Sequence, residues 1–131
     1  MGRDYRNIKA WQMADALAIS VYAATSSFPK SETFGLTSQL RRAAVSVPVN
    51  IVEGSARKHP KEYIQFLYTA LGSLAEVGYL LDFSHRIGYI KTNGGEKLVS
   101  QHEQTMKTLR GLVNFLEREG GVEFQVLKSK V

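Results

Sequence analysis

The chain has 131 residues and a formal charge of +5, with 17 Lys and Arg against 12 Asp and Glu. That length fits one domain able to bury a core without staples, and the absence of Cys excludes disulfides and thiolate metal sites and suits a reducing cytoplasm. The charged start MGRDYRNIKAW is not a signal peptide, no run of about 18 apolar residues marks a membrane span, and the basic excess admits an anionic partner such as nucleic acid.

Four helical stretches are predicted between Pro and Gly punctuation. The first spans about Asn7 to Ser26, with Asn7 as expected N-cap and Ile8, Trp11, Ala14, Leu17, Ala18 and Val21 at helical spacing. Phe28-Pro29 ends it. The second spans about Thr33 to Arg57. The third opens at His59-Pro60, which puts Pro60 at the first helical position and Glu62 at the third, and runs to about Tyr89. The fourth follows Asn93-Gly94-Gly95-Glu96 and ends before Gly120-Gly121. Its Leu98, His102, Thr105, Leu109, Leu112 and Leu116 alternate steps of four and three, a bundle seam.

The connections at Ser27 to Glu32, Lys58 to His59 and Lys91 to Thr92 are short, so neighbouring helices run antiparallel. The expected fold is all-α, an antiparallel up-and-down four-helix bundle over residues 1–119 with a C-terminal tail at 120–131. In the tail, Val122 to Val126 alternate in polarity, as in a strand, a docking arm or a loosely held terminus.

The two middle helices carry more apolar surface than one core needs. On the second, Leu36, Leu40, Ala43, Ala44, Val47, Ile51 and Gly54 form the core stripe, while Val45, Val49, Val52 and Ala56 form another apolar face. On the third, Tyr63, Phe66, Leu67, Ala70, Leu74, Val77 and Leu81 form the core stripe, and Ile64, Tyr68, Leu71, Ala75 and Tyr79 the second face. Two faces per helix predict a homo-oligomer; cover by the tail or the first helix is the alternative. A polar stripe of Gln39, Arg42, Ser46, Asn50, Glu53 and Arg57 runs between the faces, matched on the third helix by Glu62, Gln65, Thr69, Gly72 and Glu76. Arg42 and Arg57 are expected partners for Glu53 and Glu76, fixing register. Gly72 and Ser73 are small enough for close helix approach. Pro48 removes one backbone bond to Ala44 and predicts a kink.

No chemistry-bearing constellation emerges. Asp82-Phe83-Ser84-His85 is a single carboxylate–His pair where a di-iron bundle needs two, and His102 sits on the seam as a core histidine. Ser46 and Ser73 have no His within helical reach, and Gly94-Gly95 lacks the Lys-Ser/Thr of a phosphate loop. The expectation is no catalytic residue, metal or cofactor, and no enzyme. Basic clusters are the remaining candidates: Arg3, Arg6 and Lys9; Arg57, Lys58 and Lys61; Lys107, Arg110 and Arg118; and Arg41, off the core stripe. Each is either a solvated face or part of a phosphate-binding surface without sequence readout, and repetition in an oligomer multiplies the charge.

The segment QLRRAAVSVPVNIVEG from Gln39 to Gly54, followed by Arg57, resembles the signature of the four-helix bundle proteins called 23S rRNA-intervening sequence proteins. Tyr63-Ile64-Gln65-Phe66-Leu67 and Gly72-Ser73-Leu74-Ala75-Glu76 resemble the family's second signature, and Asp4-Tyr5 to Trp11 also fits. The resemblance covers about residues 4–118. It implies a four-helix bundle forming a homopentameric ring or barrel; members are encoded within intervening sequences of bacterial large-subunit rRNA genes, and many stand elsewhere. Similar proteins, the accessory variability determinants, serve diversity-generating retroelements beside a reverse transcriptase and nucleic acid. The expected function is therefore a non-enzymatic, cytoplasmic, homo-oligomeric accessory protein that binds RNA or DNA, with a reverse transcriptase as possible partner. A protein-interaction scaffold with no nucleic-acid role is the alternative.

Overall fold

The computed structural model of the chain describes the backbone of residues 3–130 and the side chains of residues 3–119. Four helices form it: α1 (Lys9–Thr25), α2 (Leu36–Ser55), α3 (Pro60–Arg86) and α4 (Thr92–Lys130), with 3-10 turns at Tyr5–Asn7 and Lys30–Glu32. Each helix packs on the next and α4 returns to α1. The four thus stand at the corners of a square, as short links between antiparallel helices dictate.

Local chemistry sets the ends. The Asp4 carboxylate accepts from the Arg6 backbone N–H at 3.0 Å and caps the first turn. Asn7 lies inside that turn, and α1 starts behind Ile8 without a side-chain cap, so the capping expected of Asn7 falls to Asp4. The second helix begins at Leu36 rather than Thr33. The Glu32 carboxylate accepts from Leu36 N–H at 3.1 Å and from the Tyr89 hydroxyl at 3.0 Å, which ties the α1–α2 link to the α3–α4 link. That hydrogen bond holds the Tyr89 phenol above its ordinary pKa. The third helix stops at Arg86 rather than Tyr89, because Gly88 turns to φ 87° and both Tyr89 and Ile90 donate back to the Ser84 carbonyl at 2.9 and 3.3 Å.

The core is the pair of stripes read from the sequence with one correction: Phe66 is half-buried outside it, and Leu80 is buried in addition. Leu40 and Ile51 of α2 and Leu67, Ala70, Leu74 and Val77 of α3 are fully buried, against Leu17 and Val21 of α1 and Leu109 of α4. Each such Leu or Val contributes about 1.5–3 kcal/mol by leaving water. The middle helices approach closely at Gly54, where a Cβ would stand 2.8 Å from the Phe66 Cβ and 3.2 Å from the Tyr63 carbonyl oxygen. A second close approach lies at Gly78, where a Cβ would fall 2.7 Å from the His102 ring. His102 is a satisfied seam histidine: its Nε2–H donates to the Leu74 carbonyl at 2.8 Å. Gly72, by contrast, faces open space, so the close approach expected there does not occur within the chain.

At 27 residues and a mean hydropathy of 1.2 over its most apolar window, α3 is long and apolar enough to cross a membrane. In the bundle its inner stripe is buried, and α3 packs between α2 and α4. The fourth helix passes through Gly120-Gly121 to Lys130. The strand considered for Val122 to Val126 is therefore helical backbone, since a lone strand has no ladder to satisfy its N–H and C=O groups whereas a helix satisfies its own. The docking arm and the loosely held terminus considered for Val122 to Val126 concern side chains outside the described ones.

Candidate nucleic-acid interface

Antiparallel packing brings the start of α1, the α2–α3 link and the C-terminal half of α4 to one end of the bundle. Arg3 demonstrates the first junction: its guanidinium donates to the carbonyls of Ser55 and Arg57 at 3.3 and 3.1 Å and stacks 4.5 Å over the Tyr63 ring. Tyr68 donates to the Glu117 carboxylate, which places this stretch of α4 beside the first half of α3. That hydrogen bond raises the Tyr68 pKa. Two clusters separated by some fifty residues thus merge at one end, with Arg118 near them.

The ten cations named from the sequence separate by what they touch. Arg3 is a pin between the N-terminus and the α2–α3 corner. Arg41 pins α2 to α1: its Nε–H donates to Thr25 Oγ1 at 2.8 Å, another N–H reaches the Tyr22 carbonyl, and the guanidinium lies 4.4 Å over the Tyr22 ring. Arg6 pairs with Asp4 at 3.2 Å, and its backbone and side-chain N–H groups hold the Asp4 carboxyl below the ordinary range. Arg57 stacks 4.7 Å over Phe66, its donors left outward on the exposed corner. Lys9, Lys58, Lys61, Lys107, Arg110 and Arg118 are exposed and make no hydrogen bond or ion pair among the described residues. Of these, Lys9, Lys58, Lys61 and Arg118 lie towards the merged end; Lys107 and Arg110 lie further along α4.

The polar stripe seals α2 to α3 within the chain. Ser46 Oγ and Ser73 Oγ share a hydrogen bond at 2.8 Å, and the Asn50 amide donates to the Ser46 carbonyl and hydroxyl at 2.8 and 3.1 Å. Gln39 reaches Glu76 at 3.4 Å. The pairing expected between Arg42 or Arg57 and Glu53 or Glu76 does not form: among the described residues the ion pairs are Arg6–Asp4 and Arg86–Asp82. Arg57 is drawn to the Phe66 face and Glu76 to Gln39, while Arg42 and Glu53 face outward.

Either side of this seam the second apolar faces remain open. Val45 and Val49, 38% and 43% exposed, line a groove with Ile19 and Tyr22 of α1. On the other side Tyr68 and Tyr79 of α3, 48% and 59% exposed, and Val99 and Phe115 of α4 are open to solvent, with Tyr79 and Val99 lining a groove between the two helices. The first helix covers part of the former face, through Trp11 and Ala18, and leaves the rest open. The grooves lie on opposite sides of the square. No group of three or more His, Asp and Glu able to hold a metal occurs among the described residues.

Sequence reading finds the cations but not which are spent. The signal for Arg41 is present, since Tyr22 and Thr25 form an aromatic and a hydroxyl one turn apart at the end of α1; its meaning depends on tertiary register. The profile of a family described as 23S rRNA-intervening sequence protein matches residues 6–111. A crystal structure described as a protein with unknown function from the S23 ribosomal protein family of Bacteroides thetaiotaomicron superposes with a TM-score of 0.72 at 21% identity, over 80% of this chain and 95% of that one. At that identity the likeness is one of fold. No curated protein matches the sequence.

Proposed function

This chain belongs to the 23S rRNA-intervening sequence protein family, and we propose that it is a homo-oligomeric accessory protein that holds the phosphate backbone of RNA or DNA. The observation that supports this is the merged basic end. Lys9, Lys58 and Lys61 come from two separate parts of the chain and present cations that no carboxylate of the described residues neutralises. No recognition motif accompanies them, so binding reads charge rather than sequence. Copies related by symmetry repeat the patch, and a polyanion spanning several patches binds more tightly than to one. A reverse transcriptase acting on the nucleic acid so held is the partner this reading accommodates.

The two open apolar grooves support the assembly. They differ in composition and lie on opposite sides, so one copy's α1–α2 side meets the next copy's α3–α4 side, a heterologous contact of the kind that forms a ring when the rotation between copies closes. They equally favour a second reading, a protein-interaction scaffold without a nucleic-acid role. Fluorescence anisotropy of labelled RNA at low ionic strength separates the two. Salt-sensitive binding is expected, weakened by Lys58→Glu with Lys61→Glu, each lost phosphate contact flattening the log–log salt slope by roughly 0.7–0.9. Lys97→Glu, at the far end of α4, is expected to leave binding unchanged. Absence of salt-sensitive binding by the wild type overturns the nucleic-acid reading and leaves the scaffold.

A further inference from the structure

At the end of the bundle away from the merged cations, one side chain is nearly free of contacts. Phe34, in the turn before α2, is 97% exposed. Ser31, Thr33 and Gly35 around it are exposed as well and give its ring nothing to pack on. Phe28, at the other end of the same connection, is buried and packs on Tyr89 at 5.3 Å between ring centres. The carboxylate of Glu32 is turned inward onto Leu36 and Tyr89, which leaves Lys30 as the outward charge of the turn. This connection therefore carries an exposed aromatic ring and an exposed ammonium group four residues apart.

A cleft of about 660 Å³ opens at the same end, on the opposite side, between α3 and α4. Leu81 and Leu98 are buried at its base and Tyr79 and Val99 are exposed on its walls. Its acidic groups are Glu96 and Glu103, without partners among the described residues, and Asp82, paired with Arg86 at 2.9 Å. An apolar cleft with unpaired carboxylates is the complement of an aromatic ring and an ammonium group.

We propose that Phe34 of one copy of this chain seats in the α3–α4 cleft of the next copy, with Lys30 against Glu96 and Glu103. The inference rests on the homo-oligomer reading above and names its anchor. In a cyclic assembly all copies stand the same way up, so surfaces that meet lie at the same height along the axis. The hydrogen bond from Tyr89 to Glu32 sets the α1–α2 turn and the α3–α4 link at one height. Phe34 heads the side bearing the Val45–Val49 groove, and the cleft heads the side bearing Tyr68 and Tyr79. Charge complementarity selects a second copy as occupant, since the complementary corner is present on every chain. A cleft of this volume holds an aromatic side chain with room for its stem, and buried aromatic anchors carry a disproportionate share of interface energy.

Two experiments on the full chain test this. Sedimentation over a dilution series is expected to show wild type dissociating at a concentration at least roughly tenfold below that of Phe34→Ala, with equal helical circular dichroism; Lys30→Glu is expected to weaken assembly and Glu96→Lys with Glu103→Lys to restore it. A benzoylphenylalanine photoprobe at position 34 is expected to cross-link between isotope-distinguished chains, onto residues 79–103. An oligomer indifferent to Phe34→Ala, or a cross-link falling elsewhere, within one chain or onto another protein, overturns the anchor and leaves the assembly standing. A monomeric wild type overturns both.

Discussion

The inner and outer sides of the two middle helices make the instructive comparison. Inside, Leu40 and Ile51 meet Leu67 and Leu74 with no surface left to solvent; outside, Val45, Val49 and the rings of Tyr68 and Tyr79 present apolar surface at 38–59% exposure. Hydrophobicity alone does not separate them. The inner set is completed by helices of the same chain, and the outer set flanks a polar seam, Ser46–Asn50–Ser73, that closes the helix pair without covering either groove. Substitutions inside should therefore act on the folding of one chain and those outside on its association.

The largest effect is expected at the centre. Leu74→Ala, at full burial, should lower unfolding free energy by about 2–5 kcal/mol in urea titration. Gly54→Ala should cost about 1–3 kcal/mol, because the added methyl meets the Phe66 Cβ and the Tyr63 carbonyl, neither of which can swing away. A cost near zero there would show that the helix pair is looser than described. On the outside, Val49→Glu and Tyr79→Glu should disperse the assembly in light scattering while the chain's helical circular dichroism is retained, since exposed substitutions usually change a single chain's stability by about 0.5 kcal/mol or less. Loss of helix together with mass would erase the distinction between the two sides.

The smallest effect is electrostatic. Burial raises the Tyr63 phenol above its ordinary value of about 10, with Arg3 acting in the opposite direction. A raised folded-state pKa means the folded chain holds this proton longer than the unfolded one. Its stabilising contribution is whole below the unfolded pKa and is lost as pH rises through the folded one. Tyr63→Phe should flatten the fall of stability above about pH 10, measured by thermal melts across alkaline buffers; an unchanged alkaline slope would show that Tyr63 does not carry it.

Much of the fold was legible because periodicity survives the passage to three dimensions. Leu36 to Gly54 and Tyr63 to Leu81 form the core as spaced except at Phe66, which is half-buried under Arg57 outside the core, and His102 proved to be a seam residue. What escaped was set by tertiary contact or local backbone. Asp4 rather than Asn7 caps the entry, Gly88 ends α3 early, and the stripe's arginines find an aromatic face or solvent instead of Glu53 and Glu76. For the basic site, charge was visible in the sequence but commitment was not: Arg3 and Arg41 are held by carbonyls and rings on elements far away in the chain. Phe34 had a sequence signal, an aromatic residue isolated in a polar turn, and its meaning rests on exposure.

Sedimentation equilibrium of the wild-type chain at micromolar concentration tests the central claim most directly, that the outer apolar grooves are closed by further copies. The account predicts a mass that is a whole multiple, above one, of 14.6 kDa. A single species at 14.6 kDa, with both grooves open to water, would contradict it.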